Sequence, residues 1–451
     1  MSSNRHVVVI GNGIAGITCA RQLRKLDGSV RITVISGESK YFFSRTALMY
    51  VFMGHMKFEH TQPYENWFWE KNKIELKEAW VKSIDFTGKN LSFQIGESMP
   101  YDELVIATGS KPNKFGWPGE DLQGVQGLYS KQDLELMEEN TKSRVQRAVI
   151  VGGGLIGIEM AEMLAYKKIP VTFLVREESF WNNILPKEES ELVSRHMREH
   201  HIDLRLNEEL KEIISDSRGK VKAIKTMSGE EITCQFVGLT AGVTPSIDFL
   251  RNTELEVKRG VKVDFGFQTN IPHVYAIGDC AEFHEAPAAD RRPVEQVWYT
   301  GRMHGETLGY ILAGKELSYK PGIWFNSAKF LDIEYQTYGT VPAKWDADQI
   351  KSFYWEHFGG KISFRMLMDL EGRILGVNNF GFRLRHEFFD QAIREKWAGE
   401  KVVSKLDKAN FDPEFFAPYY IEIQKAFKAQ FGGDVTISKK TFIQKLFGAS
   451  V

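Results

Sequence analysis

The chain has 451 residues, 43% hydrophobic and 26% charged, an ordinary globular balance at a length that points to two or three domains. A formal net charge of −1 leaves no basic footprint for nucleic acid. No apolar run approaches a transmembrane segment in length and residues 1–6 hold no apolar signal-peptide core, so a cytoplasmic location is the default expectation.

The first segment, His6-Val7-Val8-Val9-Ile10, reads as a short buried strand and ends at Gly11-Asn12-Gly13-Ile14-Ala15-Gly16. Residues 14–26 then carry apolar side chains at helical spacing, and Arg31-Ile32-Thr33-Val34-Ile35 completes a βαβ unit. Just beyond it stands Glu38, an acid placed to bond an adenosine ribose. A glycine loop between strand and helix lets backbone approach a pyrophosphate, and the helix N-terminus offers it free N–H groups.

The plan recurs at Ala148-Val149-Ile150-Val151, followed by Gly152-Gly153-Gly154-Leu155-Ile156-Gly157, a helical stretch over 158–166 and the strand Val171-Thr172-Phe173-Leu174-Val175. One such hexapeptide is weak evidence, but two with correct flanks predict two bound dinucleotides on an α/β fold. Turn-forming clusters at Lys111-Pro112, Trp117-Pro118-Gly119 and Gly242-Val243-Thr244-Pro245 mark crossings between domains. From about residue 321 the pattern changes: residues 360–368 and 372–377 alternate as antiparallel strands, and helical spacing returns over 385–397.

Two further segments make the reading sharper. Tyr101-Asp102-Glu103-Leu104-Val105-Ile106-Ala107-Thr108-Gly109 and Val274-Tyr275-Ala276-Ile277-Gly278-Asp279, together with the two glycine loops, resemble in type and order the flavoprotein family of pyridine nucleotide-disulfide oxidoreductases and ferredoxin reductases. The resemblance implies an FAD-dependent NAD(P)H oxidoreductase with two Rossmann-like, glutathione-reductase-like domains and a C-terminal α+β domain. Residues 1–118 and 242–320 would form a split FAD domain, 119–241 the NAD(P)H domain, and 321–451 a unit for dimerisation, flavin cover or partner docking. It places Gly11, Gly13, Ala15, Gly16, Glu38, Thr108, Gly109, Gly278 and Asp279 on FAD, with Asp279 at the ribityl chain, and Gly152, Gly154, Gly157 and Glu159 on the nicotinamide dinucleotide.

Cysteine usage separates the branches. Cys19, Cys234 and Cys280 form no closely spaced redox pair, and each reads as a small buried hydrophobe. Around Tyr41-Phe42-Phe43-Ser44-Arg45-Thr46-Ala47-Leu48 the chain is similar to single-cysteine oxidases and peroxidases, but Arg45 stands where their reactive thiol would be. The segment also resembles the ferredoxin and rubredoxin reductase branch, which implies Arg45 near the FAD phosphates or ring. Tyr50 replaces a lysine common beside the flavin, and Trp298 or Tyr299 would cover the ring or serve a domain contact. No acid–base pair is expected to be catalytic; Glu159 and Tyr50 are the nearest candidates.

Arg176 follows the strand after the second loop, where NADPH enzymes of the family direct an arginine at the 2′-phosphate, although Glu177 and Glu178 would oppose a phosphate; the balance leans to NADPH. No metal site is expected, since His200 and His201 are adjacent without a partner at ligand spacing. The expected acceptor is a ferredoxin or rubredoxin, with a peripheral quinone reductase and a nucleotide-sensing protein resembling apoptosis-inducing factor as rivals. Asn410-Phe411-Asp412-Pro413-Glu414-Phe415 loosely resembles a reductase interface domain. The aromatics Trp324-Phe325, Phe353-Tyr354-Trp355 and Phe415-Phe416 suit either a large contact or a core, a homodimer is left open, and the stretch 438–447 leaves peripheral membrane contact open.

Overall fold

The run His6–Ile10 forms strand β1, buried along its whole length, and leads through Gly11 into helix α1 (Ile14–Leu26). Strands β2 (Arg31–Ser36), β3 (Ile74–Glu78), β4 (Glu103–Ile106), β5 (Ser110–Pro112), β6 (Val125–Gln126) and β7 (Ala148–Val151) follow. Then come α2 (Leu155–Tyr166), β8 (Val171–Val175), α3 (Lys187–Glu199), β9 (Phe236–Leu239), β10 (Val243–Pro245), β11 (Val274–Ala276) and α4 (Trp298–Leu312). The C-terminal portion contributes β12 (Phe325–Phe330), β13 (Ile333–Gly339), β14 (Lys351–Glu356), β15 (Ser363–Met368), β16 (Ile374–Phe380) and α5 (His386–Arg394). The computed structural model describes residues 5–411 and 417–438, so Phe415, Phe416 and nearly all of the amphipathic tail lie outside the described residues.

The chain divides into two compact units, one running to Leu174 and resuming over Glu208–Pro321, the other comprising Val175–Asn207 and the chain from Gly322. The first unit holds two parallel sheets. In one the strand order is β11-β4-β1-β2-β3, in the other β8, β7, β9 and β6 are successive neighbours. In each, the chain leaves its glycine strand in one direction and later returns to that strand's other side. The resulting reversal creates a crevice at the carboxyl ends of the strands, the place where open α/β sheets bind ligands. The crossings foreseen at Lys111-Pro112 and 242–245 are tied together: β5 and β10 pair antiparallel, with Ser110 opposite Pro245.

Helix α4 lies against α1 through Gly301, Gly305 and Gly309. A Cβ on Gly305 would stand 2.9 Å from Thr18 Cβ and nearer still to the Ala15 carbonyl, so the two backbones touch where any larger residue would part them.

In the second unit β12, β13, β16, β15 and β14 form an antiparallel sheet in that order. Phe353, Phe364, Met366, Val377 and Phe389 fill its core, with Phe325 and Trp355 packed alongside, so the described aromatics of this region are mostly core. The unit boundary departs from expectation at one element: helix α3, which lies within the span assigned from sequence to the NAD(P)H domain, packs with the C-terminal sheet. Its Glu189 accepts from Arg365 Nε at 3.0 Å and Asn378 Nδ2 at 2.8 Å, while Arg365 Nη2 reaches Glu188 at 2.7 Å and its guanidinium lies over the Tyr354 ring. Arg365 and Glu189 are both buried, and separating such a pair would strand a charge away from water. Burial lifts the Glu189 carboxyl to about 7 against the pull of Arg365.

Candidate functional site

Both glycine loops divide the labour of their glycines in the same way. The first glycine takes positive φ, +111° at Gly11 and +120° at Gly152. A Cβ on Gly11 would press on the Ala107 carbonyl, and one on Gly152 would lie 2.7 Å from Ala241 N. The last glycine seats helix on strand: a Cβ on Gly16 would meet Val9 at 3.0 Å, and one on Gly157 would meet Phe173 at 2.7 Å. The middle glycines differ. Gly13 and Gly154 have no atom within 4 Å of a would-be Cβ, and they cap α1 and α2 without any side chain bonding the helix ends. The loops therefore present open backbone and helix N-termini to the crevice, the shape and charge a pyrophosphate needs, and so fit FAD and a nicotinamide dinucleotide.

Because β1, β4 and β11 are neighbours, Gly11–Gly13, Thr108-Gly109 and Gly278-Asp279 arrive at one edge. Asp279 Oδ2 accepts from Ser110 Oγ and Tyr129 Oη, both at 3.1 Å, while Gln296 Nε2 donates to Ser110 Oγ at 2.8 Å. Desolvation raises the Asp279 carboxyl above its ordinary range, with the Ser110 and Tyr129 bonds and Arg45 pulling it back. Tyr129 is also the floor for Arg45, whose guanidinium sits 4.5 Å from the ring centroid and donates to the Tyr129 carbonyl at 2.5 Å.

Glu38 and Arg45, assigned separately from sequence to the ribose and to the FAD phosphates or ring, meet each other here. Arg45 Nη1 and Nη2 fork onto the two Glu38 oxygens at 2.7 and 2.8 Å, and Glu38 Oε1 also accepts from the Lys131 backbone N–H at 2.8 Å. Burial opposes the Arg45 charge, but Glu38 outweighs it and raises the guanidinium pKa. Tyr129, Ser110 and Lys131 were not singled out from the sequence; none belongs to a motif, and their parts follow from long-range contacts to Asp279, Arg45 and Glu38.

A second buried network lies behind Gly278. His304 Nδ1 accepts the Gly278 N–H at 3.2 Å, and His304 Nε2 faces Glu295 Oε2 at 3.4 Å. Glu295 also accepts from Tyr319 Oη at 2.8 Å and Arg291 Nη1 at 3.0 Å. Burial works to raise the Glu295 carboxyl, yet His304, Tyr319 and Arg291 together lower it; burial lowers His304. Trp298 begins α4, its ring edge-on to Tyr299 at 5.3 Å and partly exposed.

Tyr50, on the short helix Leu48–Phe52, stacks on His55 at 6.1 Å, and His55 meets the Tyr166 ring edge-on at 4.8 Å. That chain of rings joins the short helix to the end of α2, the helix whose first turns carry Glu159. The three cysteines are buried and free. Burial pushes the Cys234 thiol up to about 12 and raises Cys19 and Cys280 as well, so none is poised as a thiolate.

In the second unit Arg176 is largely exposed and donates from Nε to Glu177 at 2.7 Å, so the opposing acid foreseen from sequence does engage it. The expectation that His200 lacks a partner at ligand spacing does not hold. His196 stands one turn earlier on the same helix, and both Nε2 atoms bond Asp332 Oδ1, at 2.9 Å for His200. The i, i+4 pair was readable in the sequence; Asp332 was not.

Two parallel sheets, each ending in a glycine loop shaped for a pyrophosphate, define a two-dinucleotide oxidoreductase of Rossmann type. The family model for pyridine nucleotide-disulphide oxidoreductases matches residues 5–305, and the chain belongs to that family. It is an FAD-dependent NAD(P)H oxidoreductase. It is similar to the NAD(P)H nitrite reductase of Bacillus subtilis, 28% identical over 282 residues, which cover 62% of this chain and 34% of that one. The chain thus spans about a third of that relative's length. It is also similar to the NADH oxidase of Methanocaldococcus jannaschii, 27% identical over 428 residues, 88% of this chain and 93% of that one. A third relative is the rubredoxin-NAD(+) reductase of Acinetobacter baylyi, 27% identical over 285 residues, 61% and 72% of the two chains.

Proposed function

We propose that this protein draws electrons from NAD(P)H and delivers them to a small one-electron redox protein of the ferredoxin or rubredoxin class in the cytoplasm. The observation that carries the reading is the state of the thiols: all three are buried, no two are bonded, and the place of a reactive cysteine is held by Arg45 in its fork to Glu38. Bound FAD supplies hydride acceptance from nicotinamide and release of electrons singly or in pairs. The chain supplies the alignment. Gly13 and Gly154 would admit the two pyrophosphates and Asp279 would hold the ribityl chain, with Trp298 and Tyr50 on the flavin side and Glu159 on the nicotinamide side.

The functional division is residues 1–118 with 242–320 for FAD, 119–241 for NAD(P)H, and 321–451 for docking the acceptor or a second copy. Arg176 favours NADPH through its fork, with Glu177 in competition; two of the relatives are named for NAD(H), which speaks for the other outcome. The A. baylyi relative, named for rubredoxin, supports the acceptor class.

Steady-state turnover with ferricyanide, a soluble quinone, purified ferredoxin and purified rubredoxin tests the reading. Saturable reduction of an iron–sulfur or iron protein supports it. Rapid quinone turnover with no protein acceptor makes the chain a peripheral quinone reductase; among the described residues no helix is long and apolar enough to cross a membrane. Slow turnover with every acceptor favours a nucleotide-sensing role.

A further inference from the structure

Helix α3 and the turn between β12 and β13 bring two imidazoles and a carboxylate to one point. His196 lies in the last turn of α3 and His200 is its C-cap residue, their ring centroids 4.5 Å apart, and Asp332 sits in the turn opposite. One ligand atom from each of the three lies within 4.8 Å of the others, and both Nε2 atoms bond Asp332 Oδ1. Donors about 2.0–2.1 Å from a tetrahedral zinc stand roughly 3.3 Å apart, so small rotations of the two exposed side chains, His200 and Asp332, would open the cluster around an ion.

We propose that His196, His200 and Asp332 bind one divalent transition-metal ion, Zn²⁺ by the chemistry of the donor set, clipping the end of α3 to the β12–β13 hairpin. Two imidazole nitrogens with one carboxylate are borderline-soft donors that suit Zn²⁺ and disfavour Mg²⁺, which takes oxygen ligands. Three protein ligands leave one position for water, and the exposure of His200 and Asp332 puts that position at the surface.

The surroundings match a metal-bound histidine. His196 is 1% exposed, which fixes its ring, and its other nitrogen, Nδ1, faces Glu199 Oε2 at 3.5 Å. A carboxylate behind the non-ligating nitrogen sets the tautomer that frees Nε2 for metal. Lys361 Nζ lies 3.9 Å from Asp332 Oδ2, the oxygen that the histidines do not use, and 3.8 Å from Glu199 Oε2. The lysine therefore steadies both carboxylates from the side and leaves Oδ1 to the ion.

Isothermal titration calorimetry of ZnCl₂ into the full-length, FAD-loaded protein tests the site. One equivalent should bind, and the unfolding temperature should rise with Zn²⁺ concentration because only the folded chain assembles the three donors. His200→Gln and Asp332→Asn, both at exposed positions, should each weaken binding by more than the roughly 100-fold upper range for loss of an outer-shell partner, and Glu199→Gln by about 10-fold or more. MgCl₂ at the same concentrations should give no saturable heat. No saturable Zn²⁺ binding up to millimolar concentration would overturn the proposal. So would one-equivalent binding that survives both ligand substitutions with the flavin spectrum intact, or equal binding of Mg²⁺.

Discussion

The Nδ1 atom of His304 accepts the backbone N–H of Gly278 at 3.2 Å, so helix α4 holds the turn that carries Asp279 from behind. Since Nδ1 accepts, the neutral ring carries its proton on Nε2, toward Glu295. A motif segment and a helix that shares no motif with it are thereby made into one support.

His304→Ala should leave the Gly278 N–H buried without a partner, costing roughly 1–3 kcal/mol. Flavin fluorescence followed through a thermal melt should show FAD released at lower temperature than from the wild type. Burial holds His304 below its ordinary value of 6.5 in the folded chain. The unfolded chain then binds more protons in this range, so this contribution is fully present above about pH 6.5 and is lost as pH falls toward the folded value. Wild-type stability should therefore drop on acidification through that window, more steeply than that of His304→Ala; parallel curves would remove His304 from the account.

Gly13→Val and Gly305→Val should fail in different ways. Nothing lies within 4 Å of a Cβ at Gly13, so that variant should fold yet retain little FAD, because the side chain occupies the pyrophosphate's approach. A Cβ at Gly305 would collide with α1, and overpacking of this kind costs typically about 1–3 kcal/mol. Circular dichroism melts and flavin content on purification separate the two, and normal flavin content in Gly13→Val would count against the loop's assignment.

Replacing Cys19, Cys234 and Cys280 together should leave NAD(P)H-to-dye turnover within a few-fold of wild type. Alanine is the substitution of choice, since all three thiols are buried and a serine hydroxyl there would need a partner. Loss of flavin reduction with FAD still bound would reveal a thiol step.

Arg176→Ala should raise the Michaelis constant for NADPH by about ten-fold or more, as hydrogen bonds to charged groups are worth roughly 1.5–3 kcal/mol, and should leave NADH nearly unchanged. Stopped-flow reduction of the flavin by each nucleotide measures both. Equal losses, or a wild type that strongly prefers NADH, would give control of the pocket to Glu177, which already accepts from Arg176 at 2.7 Å.

The two βαβ units, their glycine loops and the order of the motifs are legible in the chain alone, because each depends on residues within a few positions of one another: an apolar run, a glycine that must turn, a helical stripe. The chain also disclosed that no cysteine pair was available. Tertiary structure alone decided that β1, β4 and β11 lie side by side, and so that Gly13, Thr108 and Asp279 share an edge. Strand order is set by long-range packing that no local spacing records. The same holds for Arg45 closing on Glu38 across Tyr129, for His304 reaching Gly278, and for Asp332 meeting two histidines from another segment. Helix α3 shows the limit most plainly. Its place in the chain is within a nucleotide-binding unit, but the cost of leaving Glu189 and Arg365 buried apart binds it to the C-terminal sheet.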